Sequence, residues 1–181
     1  MKKIIWTFGL IAGVIVAAFM VTSTVLCHNN PEFEGESSMI LGYTGMLIAF
    51  SFAYVGVKNY RDKYNNGAIT FLQALKVAGL ITLIGCTIYV GVWLIEYYIF
   101  MPDFMETFVA NQIKQAKDNG MHGAELNNKI AELKGYQDIY KSPFGVILFT
   151  YLEPLPVAIV VTLVTALILK RKPQSEEPVI S

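Results

Sequence analysis

The chain has 181 residues, of which 54% are hydrophobic and only 15% charged, and its mean hydropathy is +0.48. Soluble domains carry about a quarter charged residues; here the deficit sits in long apolar runs, which argues against a soluble domain. Lys and Arg balance Asp and Glu at 14 each, so there is no global case for nucleic acid as a partner, and 2 cysteines are too few for a disulfide framework.

Runs of about 20 apolar residues match the ~30 Å hydrocarbon core of a bilayer. Such runs occupy about residues 4–26, 39–57, 77–96 and 150–169. Hydrocarbon offers no water to backbone N–H and C=O groups, so each run must be helical. The expected fold is therefore an all-α membrane protein: four transmembrane helices with an outer helical hairpin between spans three and four. It is expected to form a single membrane domain over 1–172, followed by a short flexible cytoplasmic tail, 173–181.

Span one follows Lys2 and Lys3 and has the look of a signal peptide. Its apolar stretch is longer than a signal h-region and no A-x-A site follows, although Val21-Thr22-Ser23 is a passable cleavage site; an uncleaved helix is expected. Span two runs from Met39 to Val57. Its link to span three, residues 58–67, ends in Asn66-Gly67, which suits a left-handed turn. That link reads as a solvated topogenic loop, with contact to anionic lipid heads as the other reading. Span three is entered through an amphipathic stretch, 69–76. Span four ends at Leu169 against Lys170-Arg171-Lys172. Its apolar run already begins at Pro143, so the helix is either tilted or preceded by a segment in the outer interface.

Lys2, Lys3, Lys58, Arg61, Lys63, Lys76, Lys170, Arg171 and Lys172 flank one set of span ends, and the short loop 27–38 holds Glu32, Glu34 and Glu36 with no basic residue. The positive-inside rule then places both termini in the cytoplasm. Trp93, Tyr97, Tyr98 and Tyr151 fit an outer aromatic belt, and Trp6 an inner one. The outer segment 102–142 holds two helical patterns. Phe104, Met105, Phe108, Val109, Ile113 and Ala116 repeat at helical spacing, Gly120 and Gly123 interrupt, and Leu126, Ile130, Leu133 and Tyr140 share a second face. Glu125 and Lys129 are spaced as an i,i+4 pair. The hairpin reads as a cap over the bundle, or as a lid or docking surface.

The stretch from Phe52-Ala53-Tyr54-Val55-Gly56 to Asn59-Tyr60-Arg61-Asp62-Lys63, together with Gly67-Ala68-Ile69-Thr70-Phe71, Tyr140-Lys141-Ser142-Pro143 and Glu153-Pro154-Leu155-Pro156-Val157, resembles the small bacterial membrane proteins catalogued as domain of unknown function 4199. The resemblance covers nearly the whole chain. The family is typical of the Bacteroidota, which implies the inner membrane of a Gram-negative cell. It implies no activity.

Glu96 and Glu153 are the candidate functional residues. Counting about 20 residues from Lys76 and from Lys170 puts both near the outer boundary of their spans. A charge facing lipid costs about 2.5–3.5 kcal/mol at a helix centre, so each should face the bundle, a watery recess or the other. A pair in contact could hold a proton or a cation; the bland reading is that both reach the headgroups, near Lys141. Pro154 and Pro156 should kink or start a helix, which either frees carbonyls for an ion or marks the junction with an interfacial segment. Gly9, Gly13 and Ala17 on span one, and Gly42, Gly45, Ala49, Ala53 and Gly56 on span two, form small-residue faces for close packing, within the bundle or in a dimer.

Cys27 and Cys86 differ in depth by roughly half a span, which disfavours a disulfide. A metal site at Cys27 and His28 has only generic spacing, and His122 reads as solvated. No phosphate loop, zinc motif, haem pair or dinucleotide fingerprint occurs, so no catalytic residue, metal or cofactor is expected. The expected partners are the lipid bilayer and either a second copy or another membrane protein. The expected role is a non-enzymatic scaffold or accessory subunit, with a small oligomeric transporter or channel built on Glu96 and Glu153 as the other class.

Overall fold

A computed structural model describes residues 1–30 and 35–172, apart from the side chain of His28. Its helices in chain order are α1 (Lys2–Asn29), α2 (Glu36–Tyr64), α3 (Phe71–Ile95), a π-helical turn (Glu96–Phe100), α4 (Phe104–Asp118), α5 (Gly123–Tyr140), α6 (Pro143–Tyr151) and α7 (Pro154–Leu169). Glu32 and Glu34 of the loop and the tail 173–181 lie outside the described residues.

Among the described residues, four helical stretches are long and apolar enough to cross a membrane: Lys2–Cys27, Glu36–Tyr64, Phe71–Phe100 and Pro143–Leu169. Only 33–39% of their most apolar windows is buried inside the protein. The rest, including Val14, Leu47, Leu83, Val160 and Ile168, is exposed. Apolar surface of that extent has no place in water, and lipid is the solvent it suits. The protein is an all-α membrane protein with four spanning helices.

The helices outrun the apolar runs expected of them, because a helix need not stop where hydrocarbon stops. Residues 58–64, expected in a connecting loop, are the last turns of α2. The turn then comes at Asn66 (φ 51°) and Gly67 (φ 76°), both left-handed. Span four is broken in two: α6 ends at Tyr151 and α7 starts at Pro154, where the ring fits the first helical turn and the missing N–H is no loss.

Contacts divide the chain into two compact units, Met1–Tyr89 with Glu153–Ser181, and Val90–Leu152. In the first, α1, α2, the first part of α3 and α7 pack as a bundle. Ile5, Val57, Ile69, Val77, Ala166 and Leu169 share its core. Thr70 and Gln73 cap α3 reciprocally: Gln73 N donates to Thr70 Oγ1 (3.2 Å) and Thr70 N to Gln73 Oε1 (3.3 Å). Ile69 and Arg171 exchange backbone hydrogen bonds of 2.9 and 2.8 Å, tying the approach to α3 to the residues after α7.

In the second unit, α4 and α5 pack on each other, and α5 on α6. The two glycines expected to interrupt the helical pattern, Gly120 (φ 84°) and Gly123 (φ 61°), make the turn between α4 and α5. Met105, Val109, Leu133, Tyr97 and Val146 form the core. Trp93 and Tyr97 pack into this core with Phe104: Trp93 meets it edge-on at 5.0 Å and Tyr97 at 6.4 Å. Tyr98 stays exposed. The cation expected to pair with Glu125 pairs elsewhere: Lys129 Nζ meets Glu132 Oε2 at 3.1 Å, an i,i+3 contact.

Candidate functional site

The α6–α7 break places a carboxylate on the bundle. Glu153 precedes Pro154 and occupies the N-cap position of α7, without a side-chain capping bond. Its Oε2 instead accepts a hydrogen bond of 2.7 Å from the hydroxyl of Tyr89 on α3. Tyr89 is 7% exposed, whereas Glu153 is exposed as a residue. The phenol therefore reaches out from the packed interior to hold one oxygen of the Glu153 carboxylate.

A second polar link lies along the same α3–α7 seam. Thr82 and Thr162 are buried, and their hydroxyl oxygens are 3.2 Å apart. Thr82 Oγ1 donates to Gly79 O at 3.1 Å, so Thr162 is the donor of the pair. Thr82 and Tyr89 are two helical turns apart, about 10 Å. The seam thus carries two side-chain hydrogen bonds at different depths. Bonds of this kind average about 0.6 kcal/mol between membrane helices.

Glu96 belongs to the other unit. It is 6% exposed and opens the π-helical turn, which Met101 N closes on Glu96 O at 2.9 Å. Single π turns replace the ordinary ladder at a local cost and often accompany functional positions. Nearby in sequence, the indole N–H of Trp93 is buried and has no acceptor among the described residues.

The small residues are placed as follows. A Cβ at Gly9 would lie 2.8 Å from Ile84 Cβ, one at Gly45 2.5 Å from Phe19 Cγ, and one at Gly56 2.6 Å from Ile81 Cδ1. Gly13 is closed off by Ile88 in the same way. Ala49 and Ala53 are fully buried and Ala17 is half-buried. Gly42 has nothing within 4 Å of its would-be Cβ. Pro154 is buried and Pro156 exposed. Cys86 is buried, Cys27 half-buried, and both are free thiols. His122 is exposed. Among the described residues no three His, Cys, Asp or Glu side chains gather as a metal would need.

The sequence pointed to Glu153 but not to Tyr89, Thr82 or Thr162. The signal was there: Leu75, Gly79, Thr82, Cys86 and Tyr89 follow the three-and-four spacing of one helix face. Polar residues on such a face within a span are candidates for bonds to a neighbouring helix.

A family model described as "Protein of unknown function (DUF4199)" matches residues 7–171. The chain belongs to this family. The match takes in both units and every residue of the α3–α7 seam, so the Tyr89–Glu153 and Thr82–Thr162 links lie within the DUF4199 region. No curated protein and no solved structure matches the chain.

Proposed function

We propose that this DUF4199 protein is a non-enzymatic scaffold or accessory subunit of the inner membrane, with both termini cytoplasmic and α4–α5 outside. The observation behind this reading is the filling of the α1–α2, α1–α3 and α2–α3 seams. Ile84, Ile88, Phe19 and Ile81 each sit directly against a glycine of a neighbouring helix. Lipid supplies no hydrophobic drive between helices, so fit of this kind is what fixes a framework. A conduit needs a seam that opens; these seams are occupied by large side chains.

The orientation rests on charge. Ile5, Ile69 and Leu169 share one cluster, which gathers the start of α1, the approach to α3 and the end of α7 at one end of the bundle. Lys2, Lys3, Lys76, Lys170 and Arg171 lie in or beside those segments. A basic end of a membrane bundle favours the cytoplasm.

The test is purification of the tagged chain from its own membrane in native nanodiscs. A second polypeptide in fixed stoichiometry is expected. Recovery of the chain alone, at the mass of a monomer, would sink the scaffold reading.

The Tyr89–Glu153 bond at the α6–α7 break favours a second reading, a small transporter that uses Glu153 to carry a proton or cation, with Glu96 as a further carboxyl group. Proteoliposome flux that is lost in Glu153→Gln would establish it. The scaffold reading expects no flux from either protein.

A further inference from the structure

Between α3 and α7 the bundle surface opens into a groove of about 280 Å³. Leu75, Gly79, Thr82, Leu155, Ala158 and Leu163 line it. Gly79 and Ala158 supply the depression, because neither has bulk to fill it. Leu75, Leu155 and Leu163 supply the walls. Hydroxyls at its floor do not make it polar, since Thr82 and Thr162 are already bonded to each other and to Gly79 O. From Leu155 to Leu163 the helix rises about 12 Å, so the groove runs along the span and not across it.

Over α3 the groove continues into a shallower hollow lined by Leu72, Leu75, Lys76, Gly79 and Leu80 among others. Lys76 is exposed and has no ion-pair partner among the described residues. The same end of the bundle carries Lys170, Arg171 and Lys172, and the Ile69–Arg171 backbone bridge holds that basic turn beside the approach to α3. The surface is therefore apolar along its length, with the exposed Lys76 in its lining and further cations at the same end of the bundle. An apolar partner helix would leave the ammonium without a counter-charge. A lipid with a fatty chain and an anionic headgroup satisfies both parts.

We propose that the α3–α7 groove binds an acyl chain of an anionic phospholipid, with the headgroup phosphate against Lys76 and the Lys170–Lys172 turn. The site is separate from the Tyr89–Glu153 pair, and it stands whether or not the chain is a scaffold. Burial of the chain supplies affinity methylene by methylene, and the cations supply the preference for a negative headgroup.

Native mass spectrometry of the purified full chain, titrated with phosphatidylglycerol or phosphatidylcholine, reads the site directly. One phosphatidylglycerol should be retained, at least tenfold more tightly than phosphatidylcholine. Lys76→Gln should bring the two lipids to within about twofold of each other, since it removes charge from an exposed position. Gly79→Leu should abolish retention of both by filling the groove. A Cβ at Gly79 meets only Thr162 Cγ2, at 3.8 Å, which is ordinary contact. Gly79→Val serves should the leucine variant lose its helical circular dichroism. Equal retention of the two lipids by wild type would overturn the proposal. So would wild-type lipid preference in Lys76→Gln, or a folded Gly79 variant that retains lipid normally. A dimer that falls to monomer in Gly79→Leu, with lipid binding unchanged, would give the groove to a second copy and overturn it equally.

Discussion

Helices meet in two different ways in this protein. In the bundle unit the contacts are glycine against side chain, as at Gly9–Ile84, Gly45–Phe19 and Gly56–Ile81. In the other unit they are ring against ring: Trp93–Phe104 at 5.0 Å, Tyr97–Tyr140 at 5.6 Å and Tyr136–Phe149 at 5.4 Å. The solvent explains the difference. Between helices in lipid, burying another leucine gains little over leaving it in acyl chains, so backbone approach and shape decide. The α4 and α5 segments lie outside the spanning stretches and expose Glu106, Lys114, Lys117 and Lys134. Each ring contact joins a residue inside a spanning stretch, Trp93, Tyr97 or Phe149, to one outside, Phe104, Tyr140 or Tyr136, where apolar burial drives association and large rings bury the most area per residue.

Glycine matters at one corner of the aromatic unit as well, and the largest effect is expected there. Ser142 caps α6 by accepting from Gly145 N at 2.9 Å, Pro143 fills the first turn, and Gly145 presses on the carbonyl of Ile139. A methyl at 145 would strike backbone, which cannot swing aside. Gly145→Ala should cost about 3 kcal/mol, the upper end for overpacking. Hydrogen exchange should show faster opening across α5 and α6, with the bundle helices unchanged. Uniform loss of protection would mean that the two units do not unfold separately.

Gly45→Ala should cost about 2 kcal/mol, because Phe19 meets the new methyl through its Cγ and Cβ and has little freedom to retreat. Gly42→Ala, three residues earlier on α2, is the control. Its Cβ meets nothing within 4 Å, and alanine is the better helix former by about 0.8–1 kcal/mol. Thermal unfolding in detergent should therefore separate two identical substitutions by sign. Equal losses would show that the small face of α2 is not organised by contact with α1.

The fold was legible because hydrocarbon leaves few choices: a long apolar run must be a helix, and four such runs make a four-span protein. The turn glycines were legible too, since Asn66-Gly67, Gly120 and Gly123 take the left-handed φ that other residues avoid. What stayed hidden was which face meets what. Trp93 and Tyr97 carry the composition of an interfacial belt, which does not say that they pack on Phe104. Glu153 stood out as a charge in an apolar run, but its partner Tyr89 is 64 residues away in sequence, and no local pattern joins them. The length of α2 was also hidden, because Lys58, Arg61 and Lys63 mark a membrane boundary without ending the helix.

The smallest effect sharpens the comparison from its watery side. On α5, Glu132 Oε1 accepts from the Tyr136 hydroxyl at 2.8 Å, and Lys129 Nζ lies 3.1 Å from Oε2. The phenol hydrogen bond first, then the ammonium, holds the Glu132 carboxyl below the usual range. A carboxyl lowered in the folded state contributes stability that is complete above its unfolded pKa of ~4.3 and disappears as pH falls through the lower folded value. Acidification should therefore loosen α5 slightly in that window, before any effect on the bundle. Carbon-detected NMR titration of Glu132 would follow it. Tyr136→Phe keeps the ring beside Phe149 and removes only the hydroxyl, so the Glu132 pKa should rise, and by more than in Lys129→Gln. The reverse order would make the ammonium the dominant partner, and the exposed i,i+3 ion pair, not the phenol, would then be the stronger surface contact of α5.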